Sequence, residues 1–145
     1  MFDVKPTTSK KAADCGACCM VSLLGYYGEE VTLDDMVKEC HVSLGGSSAK
    51  DLMVVGRNHG LDMKAWKMSA EDAIRNDRPT ICWWKYNHWV ILCGLDDDGK
   101  VVICNSSRGR YAMSQSLFKA FYSGIALSNG IPEDLPDDAE EADPE

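Results

Sequence analysis

Asp14-Cys15-Gly16-Ala17-Cys18-Cys19-Met20-Val21-Ser22-Leu23-Leu24-Gly25-Tyr26-Tyr27-Gly28 combines helical periodicity with a cysteine at the helix start. Ala17, Met20, Val21, Leu24 and Tyr27 recur at three- and four-residue intervals, which predicts an amphipathic helix over 16–27, closed by Gly28. Cys15 then opens the helix, where unpaired N–H groups and the helix dipole favour a thiolate, the form that attacks carbonyl carbon. A nucleophile so placed needs a base.

Downstream, Thr32 caps a predicted helix over 33–40. Gly45-Gly46-Ser47-Ser48 leads into a third, over 49–59, closed by Gly60. Then the period changes. Leu61, Met63 and Ala65 alternate, and a short helix follows, with Ser69 as its cap and Asp72 three residues on. The segments 80–85, 88–92 and 101–104 read as strands, the last two joined by a turn at Asp98-Gly99. A helix over 115–122, capped by Ser114, and a strand over 125–127 complete an α+β pattern of N-terminal helices and a C-terminal, mostly antiparallel sheet.

Of three histidines, His41 and His59 belong to the helical half, whereas His88 heads the apolar strand His88-Trp89-Val90-Ile91-Leu92. A ring fixed at a strand end can face a thiol on a helix packed against the sheet. If the hairpin closes at Asp98-Gly99, Asn105 lies beside His88 and accepts a hydrogen bond from its second nitrogen. Cys15, His88 and Asn105 thus form a candidate nucleophile, base and orienting group.

With 145 residues, 45% of them apolar, the chain suits one domain. Eight of its 23 acids and none of its 15 bases fall in 128–145, so the body over 1–127 is charge-neutral and the Pro- and acid-rich tail is expected to be disordered. A neutral body argues against nucleic acid and anionic membrane as partners. No apolar run reaches the length of a membrane span and the N-terminus has no signal-like apolar stretch, so a cytoplasmic protein is expected. The odd count of seven cysteines, set in apolar segments, reads as buried thiols rather than a disulfide framework.

These residues resemble the papain-like C39 peptidases, domains that cleave double-glycine leader peptides and usually precede an ABC exporter. The likeness covers about residues 9 to 127. It rests on Asp14-Cys15-Gly16, on Tyr27-Gly28 ending the first helix, on His88-Trp89-Val90-Ile91, and on Ile103-Cys104-Asn105-Ser106 where the family has Ile-x-Asp-Pro. Weaker matches are Gly46-Ser47, Gly60-Leu61, Pro79 and Phe118 to Gly124. The resemblance implies a papain-like fold and acyl transfer through Cys15, His88 and Asn105, with no metal or cofactor. It also implies a peptide or protein substrate cut after small residues, and a separate exporter as possible partner, the chain being read as free-standing. Ser9 stands where the family has its oxyanion glutamine and becomes the candidate donor; Asn105 replaces an aspartate. Trp84 and Trp89 are candidate walls of a substrate groove.

Three other readings stay open. Cys15-Gly16-Ala17-Cys18 has the spacing of thiol-disulfide oxidoreductases, although the polar stretch over 7–13 supplies no strand before it. A zinc site from Cys15, Cys18, Cys40 and His41 lacks ligand spacing in its second pair. A peptidase-like module that grips a peptide without cutting it is the third, and the Ser9 departure favours it. Leu44-Gly45-Gly46-Ser47 looks like a cleavable double glycine, but reads better as a turn entering the third helix.

Overall fold

The computed structural model describes residues 1–43, 45–130 and 140–141. A 3₁₀ turn, Ala12–Asp14, runs into α1 (Cys15–Tyr26), followed by α2 (Leu33–Glu39), α3 (Ala49–Asn58) and β1 (Lys64–Lys67). Next come α4 (Ala70–Ile74), β2 (Thr80–Trp84), β3 (His88–Leu95), β4 (Val101–Asn105) and β5 (Gly109–Met113). The chain closes with α5 (Gln115–Phe121), β6 (Tyr122–Ser128) and β7 (Glu140–Glu141).

Local chemistry sets most of the helix starts. The hydroxyls of Thr32, Ser48, Ser69 and Ser114 each accept the backbone N–H three residues on, and Asp51 returns the bond to the N–H of Ser48. Each such cap stabilises its helix by about 1 kcal/mol. Gly28 and Gly60 sit at positive φ just past α1 and α3, as expected of helix-ending glycines.

The strands form one antiparallel sheet in the order β5-β4-β3-β2-β6-β1-β7. Both faces are covered, which explains why β3 reads as an apolar run. Trp89, Ile91 and Cys93 point to a core shared with α1 and α3 through Met20, Leu23 and Leu52. Val90 and Leu92 point to a second core with Ile74 of α4 and Phe118 of α5.

The structure departs from the sequence reading in four places. The first helix is not amphipathic: Cys15 to Met20, Ser22, Leu23 and Leu24 are all buried. α2, α3 and the sheet cover it on several sides, and the N-terminal segment, a polar start in the sequence, crosses the molecule as a strap and adds further cover. The Phe2 N–H donates to the Cys93 carbonyl (2.8 Å), Arg110 donates to the carbonyls of Val4 and Phe2 (2.8 Å each), and the Thr7 and Ser22 hydroxyls lie 2.7 Å apart. Second, β5 was not foreseen. Third, β6 runs through Ser128, and beyond it Asn129 accepts a hydrogen bond from Tyr27 and the Gly130 carbonyl one from Ser128, so the packed chain extends past the expected boundary at 127. Fourth, Glu140 and Glu141 of the acidic tail pair with Lys67 and Trp66; residues 131–139 and 142–145, the rest of the tail expected to be disordered, lie outside the described residues, as does Leu44. No described helix is long and apolar enough to cross a membrane.

Candidate active site

Cys15 is the first residue of α1 and is 5% exposed. Asp14 before it accepts the backbone N–H of Lys11 (3.1 Å), closing the turn that aims the chain into α1. Gly16 allows the close approach: a Cβ there would lie 3.2 Å from Leu52 Cδ2 and from Trp89 Cδ1. Trp89 is itself held, its indole N–H donating to the Ser47 carbonyl at 3.1 Å. Gly16 therefore seats the start of α1 against β3, directly beside His88.

His88 is presented by the short link between β2 and β3, where Trp84 pairs with His88 and Asn87 takes a left-handed φ of 60°. Asparagine tolerates that region better than most residues. On the next strand Ile91 faces Cys104, so the same register sets Asn105 opposite Val90, one diagonal step from His88. His88 Nε2 lies 2.9 Å from Asn105 Oδ1. The orientation of the amide follows from its other partners. The backbone N–H of Ser107 can only donate, and it reaches Oδ1 at 3.0 Å, with the Ser107 hydroxyl at 2.8 Å; Nδ2 donates to the Tyr111 hydroxyl at 3.3 Å. Oδ1 is therefore the acceptor, Nε2 of His88 carries the proton, and Nδ1 is left for the thiol.

The electrostatics agree with that assignment. Burial pushes the Cys15 thiol up, but the hydrogen bond with His88, the Trp89 backbone N–H, the imidazole charge and the Gly16 N–H together bring it below the ordinary thiol value. His88 is held above the usual imidazole value, first by its hydrogen bond with Cys15 and then, against burial, by Asn105. Opposite shifts in two bonded partners describe a pair that gains from being thiolate and imidazolium. Burial raises Cys18 and Cys40 to about 12 and pushes Cys19 and Cys82 up as well. Cys104 is the other thiol below the ordinary value, through its contacts with Cys93 and Arg110; it sits under the strap with its Sγ 3.2 Å from the Val4 carbonyl.

A cavity of about 420 Å³ opens beside His88 and Asn105, bordered by Ser9 and Ala12 on one side and by Trp84, Tyr86 and Tyr111 on the other. Ser9 thus lines the same cavity as His88 and Asn105, its N–H on the Ser106 carbonyl at 3.0 Å and its hydroxyl 3.5 Å from the same oxygen. Of the two tryptophans expected to wall a groove, Trp84 borders this cavity. Trp89 stands on the opposite face of the sheet, because strand residues alternate, and is buried under α1 as a packing residue. Gly46, at φ 86°, pairs with Ser43 in a tight bridge, and the Ser47 hydroxyl donates to the Cys40 carbonyl, so this double glycine is part of a turn tied into the helical core. Among the described residues no group of histidines, cysteines and acids is placed to hold a metal ion.

Sequence reasoning missed Ser107 and Tyr111, which orient Asn105, and Arg110, which clamps the strap. The signal was there: Ser106-Ser107-Arg108-Gly109 is a turn sequence, and Tyr111 and Met113 alternate with Arg110 and Ala112.

Known proteins of this architecture are close in shape. A double glycine motif protease from the AMS/PCAT transporter, solved in complex with the leader peptide, superposes with a TM-score of 0.83 at 28% identity over 88% of this chain and 91% of its own. The peptidase domain of Streptococcus ComA shares the fold, with a TM-score of 0.78 at 17% identity over 86% of this chain and 96% of its own. Among curated proteins, the probable microcin-H47 secretion/processing ATP-binding protein MchF of Escherichia coli is 21% identical over 81% of this chain. The chain spans 17% of the length of MchF and of the two other curated relatives it matches. The family model of the peptidase C39 family matches residues 3–130, nearly the whole described chain, and the protein is thus a member of the peptidase C39 family.

Proposed function

We propose that the protein is a cysteine peptidase that cuts after small residues of the Gly-Gly type, using Cys15 as nucleophile, His88 as base and then acid, and Asn105 as orienting group. One observation carries this reading: Asn105 Oδ1 holds His88 Nε2 at 2.9 Å, beside a Cys15 thiol that His88 helps bring below its ordinary value. The thiolate attacks the peptide carbonyl. The oxyanion is met by backbone N–H at the start of α1 and by a donor near Ser9; the amine leaves with the proton of His88, and water then hydrolyses the thioester. No cofactor enters these steps. The oxidoreductase alternative loses ground, since Cys18 sits at about 12, buried, and is a poor partner for exchange at neutral pH.

The solved relative at 28% identity is described as a double glycine motif protease bound to a leader peptide, and we carry the same substrate class, with an exporter as partner, to this chain as part of the proposal. A second reading, a peptide-binding module, is favoured by one observation: the Ser9 hydroxyl, standing where the family has glutamine, points to the Ser106 carbonyl. A peptide library varied at the two positions before the scissile bond decides. Cutting after Gly-Gly by the wild type but not by Cys15→Ala is the expected result. Efficient cutting after Leu or Arg overturns the small-residue specificity, and binding without cutting of any peptide favours the module.

A further inference from the structure

The cavity beside His88 has a sidedness that the reaction can use. Its walls include His88, Asn105, Ser9 and Ala12 but no residue of α1, α2 or α3. In acyl transfer the carbonyl carbon bonds to the Cys15 sulfur as its bond to nitrogen breaks, and the departing nitrogen takes its proton from His88. The acyl half of the substrate therefore lies against Cys15 and the helical wall, and the amine half lies against the imidazole and whatever adjoins it. What adjoins it is this cavity.

We infer that the cavity is the subsite for the residues that follow the scissile bond, and that it selects a large aromatic or aliphatic side chain accompanied by a carboxylate. The inference rests on the peptidase reading of Cys15, His88 and Asn105 and deepens it. The apolar part comes from Trp84, Met113, Leu117 and Phe121, with the Tyr86 ring stacked on His88 at 6.0 Å and 10°. At about 420 Å³ the space exceeds what a glycine or alanine would fill, so a small residue would leave these walls uncovered. The charge preference comes from Arg108. It is exposed, its guanidinium lies 4.8 Å from the centre of the Tyr111 ring at the cavity rim, and no ion pair with it is found among the described residues. A cation held over an aromatic face with no carboxylate of its own is placed to take one from a peptide. Selection on the two sides of the bond would then be opposite in kind: smallness before it, bulk and negative charge after it.

The test uses the full chain and peptides that keep Gly-Gly before the bond while the first two residues after it are varied among Phe-Asp, Phe-Lys, Ala-Asp and Ala-Lys. A fluorogenic Gly-Gly-coumarin amide, with no amino acid after the bond, is assayed beside them. Phe over Ala is expected to raise kcat/KM on the order of tenfold, as a large apolar group in a pocket does. Asp over Lys is expected to add about two- to fivefold, the range of an exposed charge pair. In Arg108→Gln the Asp preference should fall to near unity, and in Leu117→Ser the Phe preference should shrink while the Asp preference stays. Equal rates for the four peptides, with the coumarin amide still cut, overturn the subsite and leave the peptidase reading standing. Failure to cut any substrate, the coumarin amide included, overturns that reading and the subsite with it.

Discussion

Gly16→Ala is the sharpest perturbation of the site that changes none of Cys15, His88 and Asn105 themselves. The added Cβ would meet Leu52 Cδ2 and Trp89 Cδ1 at 3.2 Å and Leu52 Cδ1 at 3.3 Å. Carbon atoms rest at about 3.5–4.0 Å, so something must move by roughly 0.3–0.8 Å. Leu52 is fully buried and Trp89 is tied to the Ser47 carbonyl at 3.1 Å, so the first turn of α1 gives way and carries Cys15 with it. A misplacement of about 1 Å can cost a hundredfold in rate, and about half that distance suggests a loss near tenfold. Stability should change less. Overpacking costs about 1–3 kcal/mol, while alanine is better than glycine in a helix by up to about 1 kcal/mol. The assay is the rate of Cys15 alkylation by iodoacetamide, read by mass spectrometry beside the melting temperature, which needs no knowledge of the natural substrate. Leu52→Val removes two of the three close carbons, leaving Trp89 Cδ1, and should restore part of the rate to Gly16→Ala. Wild-type alkylation in Gly16→Ala, or no recovery in the double variant, would refute the claim that this contact positions the thiol.

In His88→Ala, burial is opposed only by the backbone N–H groups of Trp89 and Gly16, so the alkylation profile of Cys15 should move to higher pH, about tenfold less thiolate per unit at neutral pH. Cys104, whose shift is set by Cys93 and Arg110 and not by His88, is the internal reference; a Cys15 profile that does not move rules out activation by His88. His59 joins the end of α3 to Glu29 (2.6 Å) and Glu39 (2.8 Å), and its pKa is raised first by Glu39, against burial, and then by Glu29. A raised folded-state value means that this contribution is complete below the unfolded value near 6.5 and is lost as pH rises through the folded one. Both glutamates are well exposed, so His59→Gln should lower the melting temperature by only about 2–5 °C at pH 5.5 and by less at pH 9; an equal loss at both pH values would show that packing rather than charge is at work.

What the sequence alone determined about this protein is what short-range physics controls. The caps at Thr32, Ser69 and Ser114, the stops at Gly28 and Gly60 and the turn at Asp98-Gly99 act within three or four residues, and the elements they bound stand within a few residues of expectation. The pairing of His88 with Asn105 was legible for a related reason: both flank one hairpin, whose register a local turn sets. Only the tertiary structure decided contacts between segments distant in the chain. A strap at residues 2–9 held by Arg110 adds cover to α1, so that Cys15 to Met20 and Ser22 to Leu24 are buried while Gly25 and Tyr26 stay exposed, which no periodicity within 15–26 could announce. The Ser107 and Tyr111 bonds that orient the Asn105 amide depend on β5 folding back beside β4. Trp84 and Trp89, equally apolar in sequence, were separated into cavity wall and core by the side of the sheet each faces, which is settled by where the helices pack. Long-range packing selects among arrangements that local propensity leaves equal in energy, and the cavity beside His88 exists only at that level.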